Sequence, residues 1–435
     1  MSTKYVIEVF YTNINFSNGG TEKYIKAQIL ELKKNDISSI VLFPIKVLKK
    51  YIVLWGIQVD DSPVSIVSST KLYEMFGKLL KKKNVVLGIF VHHLLGVSLQ
   101  SLQKIIEIMN PVPVYFFIHD FYTICAQLNF LKNNLMFCGG ASLNNSNCNF
   151  CKFGIESKKN IKIFSDFFSL IEKERLIIVA PSEYVKKEWI KVYSKFQTNI
   201  IVCEHQKGIG TYTDNSELIS KNQKIKIAYI GVPTRQKGWE SWKRFVESAY
   251  SDGYQLYQFG PFCNTDNSKN IININVSIQR DGENAMIEAL RSNKIEVAVL
   301  NSISPETYSS VYHECLASNL FIITNQNSGN VAAKVLNYRN GLVLKKEMDL
   351  LSFLGDKQRV LDMVNAYRKK ESIAPEYLVT NRELIDSLLK KGEKSNLGKV
   401  QDLRGGIDII GPVISLIYKT KYRSKIRVKC LKNEI

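Results

Sequence analysis

Apolar runs recur along the chain at 4–11, 39–43, 85–91, 112–118, 175–180 and 199–203. They alternate only weakly between polar and apolar positions, as strands covered on both faces do. Between them lie amphipathic stretches at helical spacing, 21–35, 71–83, 98–109 and 183–195. Strands alternating with helices predict a parallel sheet of the α/β class. From 206 to 223 the chain turns polar and small, the pattern of a linker. A second series follows, with strands at 226–230, 254–259, 271–276, 296–300, 320–324 and 341–344 and helices at 238–250 and 283–292. The organisation expected is a first α/β domain over 1–205, a linker over 206–223, and a second α/β domain over 224–391. The periodic pattern ends there, and 392–435 forms a basic tail.

The most informative polar positions follow the second domain's apolar run 296–300. In Ser304-Pro305-Glu306-Thr307-Tyr308-Ser309-Ser310-Val311-Tyr312-His313-Glu314 two carboxylates are separated by seven residues. Pro305 suits the first position of a helix, where its missing N–H is no loss. At roughly 100° per residue, eight positions return a side chain to within about 80° of its starting direction. Glu306 and Glu314 are therefore expected to face one cleft at different depths. A helix start adds free N–H groups for a phosphate. Carboxylates for sugar hydroxyls beside amides for phosphate predict a sugar-nucleotide site.

Two further segments belong with it. The second domain opens with Ala228-Tyr229-Ile230-Gly231-Val232-Pro233-Thr234-Arg235-Gln236-Lys237-Gly238-Trp239, a strand, a glycine loop with two cations, then a helix. Lys237 as a point charge and Arg235 as a fork suit a diphosphate. In the first domain His119-Asp120 stands at the carboxyl end of a strand, where parallel α/β sheets bind their ligands.

In order, these pieces resemble a known family. Ser17-Asn18-Gly19-Gly20-Thr21-Glu22 precedes His119-Asp120; Ala180-Pro181-Ser182-Glu183-Tyr184-Val185, Lys237-Gly238, Glu306 with Glu314, and Ser328-Gly329-Asn330 follow. The ordered set, from about residue 5 to 344, resembles a family 4 glycosyltransferase of the GT-B fold, the retaining type common in bacterial polysaccharide biosynthesis. The resemblance implies two facing Rossmann-like domains with the site in the cleft between them. It implies a hexosyltransferase-like enzyme moving a sugar from a nucleotide donor to a growing, lipid-linked surface glycan such as lipopolysaccharide, O-antigen or capsule. It gives Glu306 the donor-sugar hydroxyls, Glu314 the nucleotide ribose, and Lys237 the leaving diphosphate. The backbone amides of Tyr308 and Ser309 would hold sugar and phosphate, Gly20 would admit the phosphates, and His119 would stand near the reacting centre. No catalytic cofactor is implied, and the phosphate itself would take the acceptor proton. The chain departs from the family pattern at Val232, where an arginine is usual, and at Val311, where a hydroxyl is usual and Ser310 stands beside it. A catalytically silent sugar-nucleotide or glycan-binding protein, and a GT-B sugar-nucleotide epimerase, are the alternative readings.

Composition adds three points. The 435 residues, 45% of them hydrophobic, suffice for two cores, and no stretch reaches the ~20 apolar residues of a membrane span. With no signal-peptide core before the first strand, a cytoplasmic location is expected. The net charge of +19 is uneven: from 419 to 432 there are seven basic residues and no acidic one, after a mainly apolar run at 407–418. That order suits a peripheral contact with anionic lipid at the inner membrane face, and equally a solvated tail. It carries no recognised nucleic-acid module, so no nucleic-acid partner is expected. Of the eight cysteines, Cys125, Cys138, Cys148 and Cys151 fall in an Asn- and Gly-rich insertion at about 125–151. Four thiolates there suit a structural zinc; free thiols are the alternative.

Overall fold

The structure is a computed structural model. It describes residues 3–16, 19–45, 53–81, 85–142, 146–213, 218–260, 271–370 and 374–392. The basic tail beyond 392, residues 214–217 of the expected linker, and Cys263 and Cys430 lie outside the described residues.

Two sheets organise the chain. The first has eight strands in the order Ile200–Val202, Leu176–Ala180, Val114–Phe117, Val85–Val91, Lys4–Val9, Ile37–Ile45, Leu54–Val59 and Ser65–Ser68. The first six run parallel; the last two add an antiparallel edge that the hydrophobic pattern does not reveal. The second is a six-stranded parallel sheet, ordered Ile272–Ile274, Tyr254–Phe259, Ile225–Ile230, Val297–Val299, Phe321–Asn325 and Gly341–Leu344. Both are covered on two faces, which explains the weak alternation of the sequence. In the strand Lys4–Val9, Ile7 and Val9 enter one core cluster while Val6 enters the other.

The expected linker contains a strand. Gln206–Ile209 pairs antiparallel with Tyr377–Thr380, so the crossover from the first sheet to the second lies beside the return path. The last described helix, Glu383–Gly392, packs against the first sheet, with Leu384, Ile385 and Leu388 buried in the cluster that holds Val6 and Phe10. Sequence position alone assigned most of that helix to the second domain; its apolar face assigns it to the first. Among the described residues no helix is long and apolar enough to cross a membrane.

Candidate functional site

The loop between the strands' carboxyl ends and the helix Ser310–Ala317 is fixed by buried amides and hydroxyls. Asn325 Nδ2 donates to Asn301 Oδ1 at 2.7 Å and to the Ser302 carbonyl at 2.9 Å; Ser328 Oγ donates to the same carbonyl at 2.9 Å. Asn301, Asn325 and Ser328 are wholly buried, so these bonds are obligatory. Glu306 is then held by its backbone. Its N–H reaches the Ser328 carbonyl at 3.2 Å, and its carbonyl accepts from Asn330 N at 3.0 Å. Gly329 lies between these contacts at φ 62°, where an added Cβ would stand 2.6 Å from Pro305 Cβ and 2.7 Å from its Cα. Only glycine tolerates both the close approach and the torsion.

This corrects one expectation. Pro305 does not start the helix. Ser309 caps it, its Oγ accepting from Tyr312 N at 3.2 Å, and the helix begins at Ser310. Glu306 therefore sits in the preceding loop, and the helical angle between the two carboxylates does not apply. They nevertheless line the same cavity.

Lys237 meets Glu306 from the facing loop, with Nζ 2.6 Å from each carboxylate oxygen. Ser302 Oγ lies 2.9 Å from Glu306 Oε1. The approach of the two loops depends on Gly238, at φ 77°, where a Cβ would stand 2.0 Å from the Asn301 carbonyl oxygen. Arg235 occupies the same turn, is exposed, and is not among the residues lining the cavity. Val232 does line it, at the position where the resemblance leads one to expect a cation.

The cavity measures about 500 Å³ and is walled by both halves of the chain. Gly20 and Lys23 come from the opening helix Gly20–Lys34 and Gly19 from its N-cap; Lys237, Glu306, Tyr308, Ser309 and Glu314 come from the second half. Its N-cap residue, Gly19, offers no side-chain hydrogen bond, and the positive end of the helix lies at the cavity wall. Glu314 is buried and its carboxyl is pushed up to about 7, by burial first, with Lys23 opposing. Lys23 escaped the sequence reading, although it follows the Gly-Gly pair by three residues.

Two hydrogen bonds clasp the loop to the first half. Thr307 Oγ1 donates to the His119 carbonyl at 2.6 Å, and Ser182 Oγ donates to the Thr307 carbonyl at 3.0 Å. Ser182 also caps its own helix, accepting from Val185 N at 3.3 Å. His119 thus reaches the site loop through its backbone; its side chain is not among those lining the cavity. Burial, then His92, His205 and His93, hold its imidazole well below the ordinary range. Tyr308 stacks on His313 at 4.8 Å and meets the tilted ring of His205 at 4.2 Å. Burial pushes both imidazoles down to about 3. Glu204 ties this seam by pairing with Lys334.

The cysteine insertion lies apart. Cys125, Cys138 and Cys148 line a small cavity of about 30 Å³, which Cys151 does not line. Burial pushes Cys125 up to about 11 and raises Cys138 and Cys148. Among the described residues no group of three or more His, Cys, Asp or Glu side chains is arranged to hold a metal. The four thiols as placed do not form a finished metal site.

No protein-family model matches the chain, and no curated protein matches it by sequence. Solved structures do. The apo lipopolysaccharide outer core galactosyltransferase WaaB aligns at TM-score 0.51 and 11% identity, covering 91% of this chain and 100% of that one. Sucrose-phosphate synthase from Thermosynechococcus elongatus aligns at 0.49 and 11%, covering 90% and 98%. A glycosyltransferase from Rickettsia africae aligns at 0.47 and 14%, covering 91% and 98%. At such identities the likeness speaks for architecture. The chain has the GT-B fold, two facing Rossmann-like domains with a cleft between them.

Proposed function

We propose that the chain is a retaining glycosyltransferase that takes a sugar from a nucleotide donor and adds it to a growing, lipid-linked bacterial surface glycan. One observation carries the reading: a single cavity joins a helix start and Lys23 from the first half to Lys237, Glu306 and Glu314 from the second. The positive end of the helix and the lysines suit a diphosphate. Glu306, braced by Ser302 and Lys237, suits the sugar hydroxyls. Glu314, pushed up to about 7 by burial, is partly protonated near neutrality and so can both donate to and accept from ribose hydroxyls. WaaB, which shares the architecture, is a lipopolysaccharide outer core galactosyltransferase, and this supports the choice of acceptor class.

In the proposed reaction Lys237 and the helix start stabilise charge on the departing diphosphate. The acceptor attacks from the face that the diphosphate leaves, the phosphate takes its proton, and the anomeric configuration is kept. The reaction takes place at the inner membrane face, where the basic tail contacts anionic lipid. Structural zinc at the four clustered cysteines is part of the proposal; the metal would have to draw the sulfurs together and deprotonate Cys125, Cys138 and Cys148 against the burial that raises them.

The test is a survey of UDP-, GDP- and ADP-sugars by thermal shift, followed by transfer to a lipid-linked acceptor with the anomeric centre read by NMR. One donor class should stabilise the protein and yield a product of unchanged configuration. Donor conversion without acceptor would support an epimerase, and tight binding without turnover a silent binder.

A further inference from the structure

All five histidines of the chain stand near one another at the seam between the two halves. Two of them continue a row that starts deep in the first sheet. Glu8 belongs to the strand Lys4–Val9, His92 directly follows Val85–Val91, and His119 comes two residues after Val114–Phe117. These strands are neighbours, so their carboxyl ends set the three side chains side by side. His92 Nε2 lies 2.6 Å from Glu8 Oε2, and His92 Nδ1 lies 3.0 Å from His119 Nε2. Glu8 and His92 are fully buried, and Glu8 Oε1 has no partner. No protein group among the described residues takes His119 Nδ1.

We infer that Glu8 and His92 are positioning residues that fix His119 as a hydrogen-bond acceptor: its carbonyl meets the site loop at Thr307, its side chain stands behind the cavity lining, and its bare Nδ1 would serve a hydroxyl of the sugar or of its acceptor that reaches past that lining. The chemistry runs from the buried end outward. A carboxylate only accepts, so His92 must carry its hydrogen on Nε2. A neutral imidazole protonated there has a lone pair on Nδ1. The hydrogen between the two rings therefore belongs to His119 Nε2, which leaves Nδ1 bare. A doubly protonated ring is disfavoured, because the side chains acting on His119 are three other histidines in a buried setting. Around the row stand His93, His205 and the Tyr24 phenol. Burial, Cys203, Glu8 and Tyr308 hold that phenol protonated. A bare nitrogen accepts from a hydroxyl and repels a phosphate oxygen.

The function given to the row rests on the sugar-transfer reading; its geometry does not. The first measurement is therefore independent of activity. Full-length protein labelled with ¹⁵N-histidine has five imidazoles to assign, with His92→Phe and His119→Gln identifying two of them. Near neutral pH, His92 and His119 should both be protonated on Nε2 and bare on Nδ1. Protonation of His119 on Nδ1, or on both nitrogens, would overturn the inference.

The second measurement uses the pair Glu8→Leu with His92→Phe. It removes both partners together, and a phenyl ring keeps the stack on Phe117, now 4.5 Å from the His92 ring. UDP, GDP and ADP binding should stay within about twofold of wild type while transfer kcat/KM falls at least tenfold, and His119 should populate both tautomers. Glu8→Gln, which keeps the shape, is read in the same way if the pair does not fold. Unchanged transfer with the tautomer bias lost would refute the positioning role. Should the wild type transfer no sugar, the cleft reading fails and the spectrum still decides the row.

Discussion

Replacing Glu314 by glutamine should change how stability depends on pH. The carboxyl has an ordinary value of 4.5 and is pushed up to about 7 in the folded chain, chiefly by burial. Between those values the folded chain keeps a proton that the unfolded chain has released, so stability falls as pH rises through the window. At about 1.4 kcal/mol per pH unit of displacement, the whole limb amounts to about 3 kcal/mol. Below the window both states are protonated and above it both are ionised, so the contribution is flat on either side. Glutamine keeps the shape and cannot titrate. The stability difference between Glu314→Gln and wild type should therefore shift in the variant's favour by about 3 kcal/mol between about pH 4 and about pH 8. Urea unfolding of both proteins, without nucleotide, across that range is the assay. Parallel pH profiles would refute the reasoning, since the carboxyl would then be solvated or paired in the folded state.

Four further outcomes are expected. Gly329→Ala should lower the melting temperature and cost at least about 2 kcal/mol, because its Cβ meets Pro305 and its φ is positive; unchanged melting would mean that the loop yields freely. Lys237→Ala should weaken binding of the free nucleoside diphosphate as well as turnover; unchanged binding by calorimetry would remove Lys237 from the phosphate site. Elemental analysis of protein purified without added metal should find one zinc per chain, and a folded, zinc-free preparation with four reactive clustered thiols would end that proposal. For the tail, cutting the chain after about residue 405 should reduce sedimentation with anionic vesicles at low salt, and equal sedimentation of both lengths would leave the tail merely solvated.

The alternation of strands and helices was legible because apolar runs covered on both faces leave an uninterrupted signature. The antiparallel strands Leu54–Val59 and Ser65–Ser68 were not, being partly exposed and outside the strand–helix alternation. The helix Gly154–Ser169 was also missed, since its Lys and Asn residues follow directly on the cysteine-rich insertion. At the site, spacing brought Glu306 and Glu314 to notice, but the helix start was misread, because a capping serine outweighed a proline four residues earlier. Ser328-Gly329-Asn330 was visible as a motif, and its role became plain only once its backbone was seen to grip Glu306. Glu8 and His92 carried no sequence signal. They meet His119 only because three strands far apart in sequence are adjacent in the sheet, a relation no local pattern records.

The most direct test of the central claim is sugar transfer by wild type and Glu306→Gln, with the donor that the survey selects. The account predicts acceptor-dependent release of the nucleoside diphosphate by the wild type. A folded Glu306→Gln protein that still binds the nucleotide should be roughly a hundredfold slower or more. Full-speed transfer by the variant, or no nucleotide-sugar bound by the wild type, would contradict it.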